Sequence, residues 1–106
     1  MKFKFNFKGK NIVIDLRECR GIMQGIGLMF KGKETDALLF EMKDKAIHSF
    51  FCPRFLAIWL DDKNRIVDYN LVSPWKSYVK PQKSFSKLIE IPVGKRYESI
   101  LKAFKY

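Results

Sequence analysis

"FLAIWLDDKNRIVDYNLV" (residues 55–72) decides the fold. Two runs rich in apolar, β-branched and aromatic residues, Phe55 to Leu60 and Arg65 to Tyr69, flank the polar stretch DDKN (61–64). Such runs around a short polar turn read as two antiparallel strands of a hairpin. The same grammar recurs on both sides. Phe3, Phe5 and Phe7 alternate with Lys2, Lys4, Asn6 and Lys8, the period of a half-buried strand whose aromatics face a core. KGKN (8–11) interrupts that pattern and Ile12, Val13 and Ile14 resume it, which predicts a second hairpin with lysines guarding an edge.

Further strands are expected at Leu38 to Met42, after which KDK (43–45) turns the chain, and at Ile47 to Phe51, stopped by Pro53. A late strand, FSKLIEIPV (85–93), ends at Pro92 and Gly94, and SPWKSYVKPQKS (73–84) reads as an irregular loop. Asp15 and Glu18 have the spacing of a capping box, and Leu16, Cys19 and Met23 lie at i, i+3 and i+7, so a short helix is expected near residues 16–24. Tyr97, Ile100, Leu101 and Phe104 predict a C-terminal amphipathic helix. The expected fold is mainly β: one domain, residues 1–106, forming a compact antiparallel β-sandwich or barrel with two short helices.

No apolar run approaches the ~20 residues that span a bilayer, so membrane insertion is not expected. MKFKFNFKGK lacks the apolar core of a signal peptide, which makes the expected location cytoplasmic. Cys19 and Cys52 are too few for a disulfide framework and read as buried thiols. With a single histidine, neither a metal nor another cofactor is expected.

The net charge of +10 is unevenly placed. Residues 1–10 carry four lysines and no acid, residues 76–106 carry eight bases against Glu90 and Glu98, and 11–75 carries nine of each sign. If the terminal strands are neighbours, one basic face results, suited to a polyanion. The plainer account is solubilising charge.

In their order along the chain, GLMFKGK (27–33), ALLFEM (37–42), HSFF (48–51), IWLDDKNRIVD (58–68), VSPW (72–75) and KLIEIPVGK (87–95) resemble domain-of-unknown-function family 192, also called uncharacterised protein family 0127. The resemblance covers roughly residues 15–95. It implies a mostly antiparallel β-sandwich with a short helix before the Gly-Leu-Met element, and it brings no established activity. Where the family pattern has a Pro-(Leu/Ile)-Asp step entering the hairpin, this chain has Phe55, Leu56 and Ala57.

Leu28, Met29 and Phe30 are expected to enter the core, Phe30 closing with Phe40 over it. The functional alternative is a Met-lined apolar pocket. His48 beside Ser49 lacks a recognisable nucleophile or metal element nearby, so an orienting hydrogen-bond role is expected before catalysis. Trp59 lies in an apolar strand and should be core, whereas Trp75 follows Pro74 in a loop and is the better contact residue, with Tyr78 near it. The first hypothesis is a non-catalytic module binding a small molecule, glycan or protein through Met29, Phe30, His48, Ser49, Trp75 and Tyr78. The second is electrostatic nucleic-acid binding through Lys2, Lys4, Lys8, Lys80, Lys83 and Lys87. The third is an enzyme using His48.

The second hypothesis makes a direct prediction. Labelled single- and double-stranded nucleic acids, followed by anisotropy, should lose on the order of 10³-fold in affinity between about 50 and 200 mM salt. Lys→Glu changes at the two ends should abolish that binding. No binding at low salt would leave the terminal lysines as solubilising charge.

Overall fold

The six residues of strand β4 (Phe55–Leu60) are all buried, because the sheet they cross is covered on both faces. A computed structural model describes residues 1–21 and 23–106. Its strands are β1 (Lys2–Phe7), β2 (Lys10–Cys19), β3 (Ala37–Glu41), β4, β5 (Ile66–Val72) and β6 (Lys87–Pro92). Two short helices complete the chain, α1 (Met23–Ile26) and α2 (Glu98–Ala103). All six strands form one sheet in the order β1-β2-β3-β6-β4-β5. The sheet curls far enough that Asn6 of β1 bridges to Arg65 beside β5, giving a half-barrel.

Alternation then sorts side chains between the faces. Leu56, Ile58 and Leu60 of β4, Leu39 of β3 and Ile89 and Ile91 of β6 enter one core with Phe5, Phe7 and Ile14. The helix α2 caps this helix face: Phe104 stacks on Phe7 with centroids 4.1 Å apart and meets Tyr69 edge-on at 4.9 Å. Phe55, Ala57 and Trp59 point the other way and join Leu38, Phe40, Leu88 and Val72 beneath Leu28, Cys52 and Phe85 from the loops. That second core lies on the loop face.

The mainly β expectation and both hairpins hold, as does the C-terminal helix. The DDKN turn is closed by Asp61, whose Oδ1 accepts the N–H groups of Lys63 and Arg65 at 2.9 Å each. Three expectations need correcting. The sheet is not wholly antiparallel, since β2 pairs parallel with β3, from Leu16 against Ala37 to Cys19 against Phe40. Residues 16–19 are strand rather than helix, and the helix begins at Met23. In a strand the i, i+3 spacing of Leu16 and Cys19 sends them to opposite faces, and both faces are buried here. Between Ile47 and Phe51 only Ile47 pairs, in an isolated bridge with Val79.

The parallel pair requires a crossover, and residues 20–36 supply it. Glu34 anchors its far end, accepting the N–H groups of Lys95 and Arg96 at 3.0 and 3.1 Å. Gly94 must be glycine there, because a Cβ would lie 2.5 Å from the Lys33 carbonyl. Tyr97 fixes the start of the pair: its hydroxyl accepts the Ala37 N–H at 2.9 Å and donates to the Asp15 carbonyl at 2.8 Å. Tyr97→Phe keeps the ring but leaves the buried Ala37 N–H and the part-buried Asp15 carbonyl without this partner, so it should lower unfolding free energy by about 1–3 kcal/mol in urea titrations. An unchanged midpoint and slope would show that these bonds hold nothing together.

Candidate functional site

The turn after α1 separates three neighbouring apolar residues. Leu28 is fully buried, Met29 is half-buried against the loop-face core, and Phe30 is 76% exposed. The expectation that Phe30 closes over the core with Phe40 is therefore corrected. Phe30 has a left-handed backbone, φ +61°, which turns its side chain out of the core, while its N–H donates to the Phe51 carbonyl at 2.8 Å.

The two rings stack with centroids 4.8 Å apart. Trp75, 61% exposed, sets its edge against Phe51 at 4.8 Å. Phe50 lies 6.3 Å from Trp75, and His48 lies 5.4 Å from Phe50. Five rings from three separate segments thus form one ladder at the surface. Phe51 and Trp75 also have left-handed backbones, φ +59° and +68°.

Ser49 explains how these segments meet. It is buried, and its hydroxyl donates to the Ser73 carbonyl at 2.6 Å and accepts the Lys76 N–H at 2.8 Å. Its carbonyl accepts the Trp75 N–H at 3.1 Å. Its own N–H donates to the Lys76 carbonyl at 2.8 Å, so this segment bonds the 73–76 loop rather than a neighbouring strand. Ser49 positions Trp75, and its hydroxyl proton is committed to the Ser73 carbonyl. The His48 Nδ1 accepts the Phe50 N–H at 3.2 Å. Tyr78 is 70% exposed and stands apart, beside Lys76 and Lys80 in a shallow groove.

The terminal lysines are placed differently from the arrangement that would make one basic face. Strands β2 and β3 separate β1 from β6. Lys2 and Lys4 are exposed on β1 and Lys8 in the turn after it, and Lys80 and Lys83 are exposed in the 73–86 loop. Lys87 donates to Asn64 at 2.9 Å.

A cleft of about 350 Å³ opens beside the ladder, between α1 and the 42–52 segment. Ile26, Leu28, Met42 and Ile47 line it, His48 and Lys45 reach it, and Glu90 of β6 and Cys52 complete its wall. Glu90 is only 5% exposed. Among the described residues it has no ion-pair partner within 4 Å, and burial alone pushes its carboxyl up to about 8. Burial, and then Glu90, also push the Cys52 thiol up to about 11 and the Cys19 thiol upward. Gly27 lies over the acid with φ +51°; a Cβ there would come 3.4 Å from Glu90 Oε1 and from the Phe40 ring. Across the sheet Glu90 faces Ala57. Sequence reasoning counted Glu90 only as charge. Its signal is an acid inside KLIEIPV, in phase with Leu88 on a strand with no polar face.

No protein-family model matches the chain. A protein of uncharacterised protein family 0127 from Pyrococcus horikoshii is 36% identical over 89 residues, covering 78% of this chain and 75% of the relative. A member of that family from Thermococcus kodakarensis is 35% identical over 74 residues, covering 64% of this chain. The match takes in 46% of that relative, so the chain spans about half its length. A crystal structure of a protein of unknown function from Novosphingobium aromaticivorans aligns with a TM-score of 0.67 at 16% identity, over 93% of this chain and 76% of that one. That likeness shows the fold.

Glu90 links stability to pH. Its carboxyl holds a proton more tightly folded than unfolded, where its ordinary value is 4.5. Its contribution is fully present below that value and is lost as pH rises toward about 8. Glu90→Gln keeps the shape without the ionisation. The stability difference, variant minus wild type, should therefore grow in the variant's favour between pH 5 and pH 9 in urea titrations. A pH-independent difference would show that Glu90 ionises as freely folded as unfolded.

Proposed function

This chain belongs to uncharacterised protein family 0127, and we propose that it is a non-catalytic binding protein whose contact surface is the ladder of Phe30, Phe51, Trp75, Phe50 and His48. One observation carries this reading: three exposed aromatic residues hold left-handed backbones. That conformation costs an ordinary residue roughly 1–2 kcal/mol, and glycine would avoid the cost. A surface that spends stability to expose large rings in fixed positions has the character of a binding surface.

The rings are large, rigid and apolar, the residue type that anchors protein–protein contacts. The segments that carry them, 27–33, 48–54 and 73–80, contain Lys31, Lys33, Arg54, Lys76 and Lys80 and no acid. They also contain no Asn or Gln, so a glycan's hydroxyls find few side-chain acceptors there. The partner best matched to this surface is a protein segment presenting apolar or aromatic anchors among carboxylates. Single-stranded nucleic acid is the second reading, favoured by rings and cations occurring together.

Selection from a random peptide library displays the choice. Wild-type protein should enrich peptides that combine Asp or Glu with Trp, Phe or Leu. Trp75→Ala should bind them at least tenfold more weakly while unfolding at the same urea concentration, since Trp75 is outside both cores. Because Trp59 is buried and Trp75 exposed, quenching of the longer-wavelength tryptophan emission reports the ladder directly. Equal affinity of wild type and Trp75→Ala would overturn the ladder reading. Binding of oligo(dT) instead of peptides, with steep salt dependence, would favour nucleic acid.

A further inference from the structure

We propose that the cleft over Glu90 is a separate binding site for a small organic cation, an ammonium or amidinium group on a short apolar body. Glu90 sits at the centre of the β3-β6-β4 sheet, opposite Leu38 on one side and Ala57 on the other, so neither neighbour offers it a hydrogen-bonding side chain. A carboxyl buried this far is ordinarily paired or fully hydrogen-bonded. Among the described residues this one has no salt bridge, and its side chain borders an open cleft.

The walls define the rest of the ligand. Ile26, Leu28, Met42 and Ile47 supply apolar contact, and Gly25 and Gly27 leave room above the acid. A Cβ at Gly27 would already touch Glu90 Oε1 and the Phe40 ring at 3.4 Å. A volume of about 350 Å³ is at the small end of ligand sites, enough for one charged group and a short hydrocarbon or ring. The apolar side chains around the acid match an organic body carrying the charge.

Binding involves a proton. Near neutral pH the free acid is protonated; a bound cation stabilises the carboxylate, and the proton passes to the buffer. The other titratable groups around it are His48 and Lys45 on the cleft wall, Cys52 beside them and Cys19 on β2. This site shares only His48 with the ladder, and Glu90 rather than an aromatic face neutralises the ligand's charge.

The test is isothermal titration of the full chain with benzamidine and with n-butylamine at pH 7, in two buffers of different ionisation enthalpy. The expected result is saturable binding with release of close to one proton. Benzamide, the neutral counterpart of benzamidine, should bind at least tenfold more weakly, as should benzamidine to Glu90→Gln. Trp75→Ala should bind benzamidine as wild type does, which separates this site from the aromatic surface. The proposal is overturned if neither amine binds at about 10 mM, if benzamide matches benzamidine, or if Trp75→Ala rather than Glu90→Gln abolishes binding. Where Glu90→Gln fails to fold, wild-type protein still decides the matter, since equal binding of benzamide and benzamidine overturns the proposal.

Discussion

The Tyr97 hydroxyl, bonded to Asp15 of β2 and to Ala37 of β3, joins the helix that covers one face of the sheet to the parallel pair that organises the other. The other pairings are all antiparallel, and antiparallel sheets commonly leave one face wet. With the parallel pair, residues 20–36 must cross the sheet, and the crossover lays Leu28 over Phe40, Trp59 and Leu88. The sheet then has a core on each face. The aromatic ladder and the cleft over Glu90 both lie along that crossover and the two loops that meet it.

What the sequence made legible follows from how burial is divided. Where a strand has one wet face, as in β1, alternation of Phe and Lys is enough to place it. Where both faces are dry, as in β4, composition and flanking turns still mark the strand, and Trp59 was readable as core. The end of β2 fell between these cases. Leu16 and Cys19 are spaced as neighbours on a helix and also as residues on opposite faces of a strand. Only the pairing with β3, set by contacts more than twenty residues distant, separates the two.

The site was legible in parts for related reasons. Trp75 after Pro74 was readable as exposed because a loop offers little to bury a large ring. Phe30 was not, since hydrophobicity places Leu28 and Phe30 alike while the backbone turn sends one in and the other out. Ser49 looked like a ligand contact because hydroxyls often are. Its partners lie at Ser73 and Lys76, beyond any local pattern. Glu90 was invisible for the opposite reason: acids are assumed wet, and only three-dimensional burial reveals one that is not.

Two costs are therefore concentrated at one end of the molecule: left-handed backbones under exposed rings, and a desolvated carboxyl. They are joined through residues 27–30. Gly27 shapes the roof over Glu90, Leu28 locks into the loop-face core, and Phe30 begins the aromatic ladder. Leu28 can be buried only if the chain turns sharply on both sides of it, and Gly27 and Phe30 both take positive φ to do so. Glycine accepts that geometry freely and phenylalanine does not. Glycine at Phe30 would satisfy the turn at lower cost, yet it would remove the ring that stacks on Phe51. The strain at this position is thus tied to the exposed ring itself, and that is the feature on which the proposed contact surface rests.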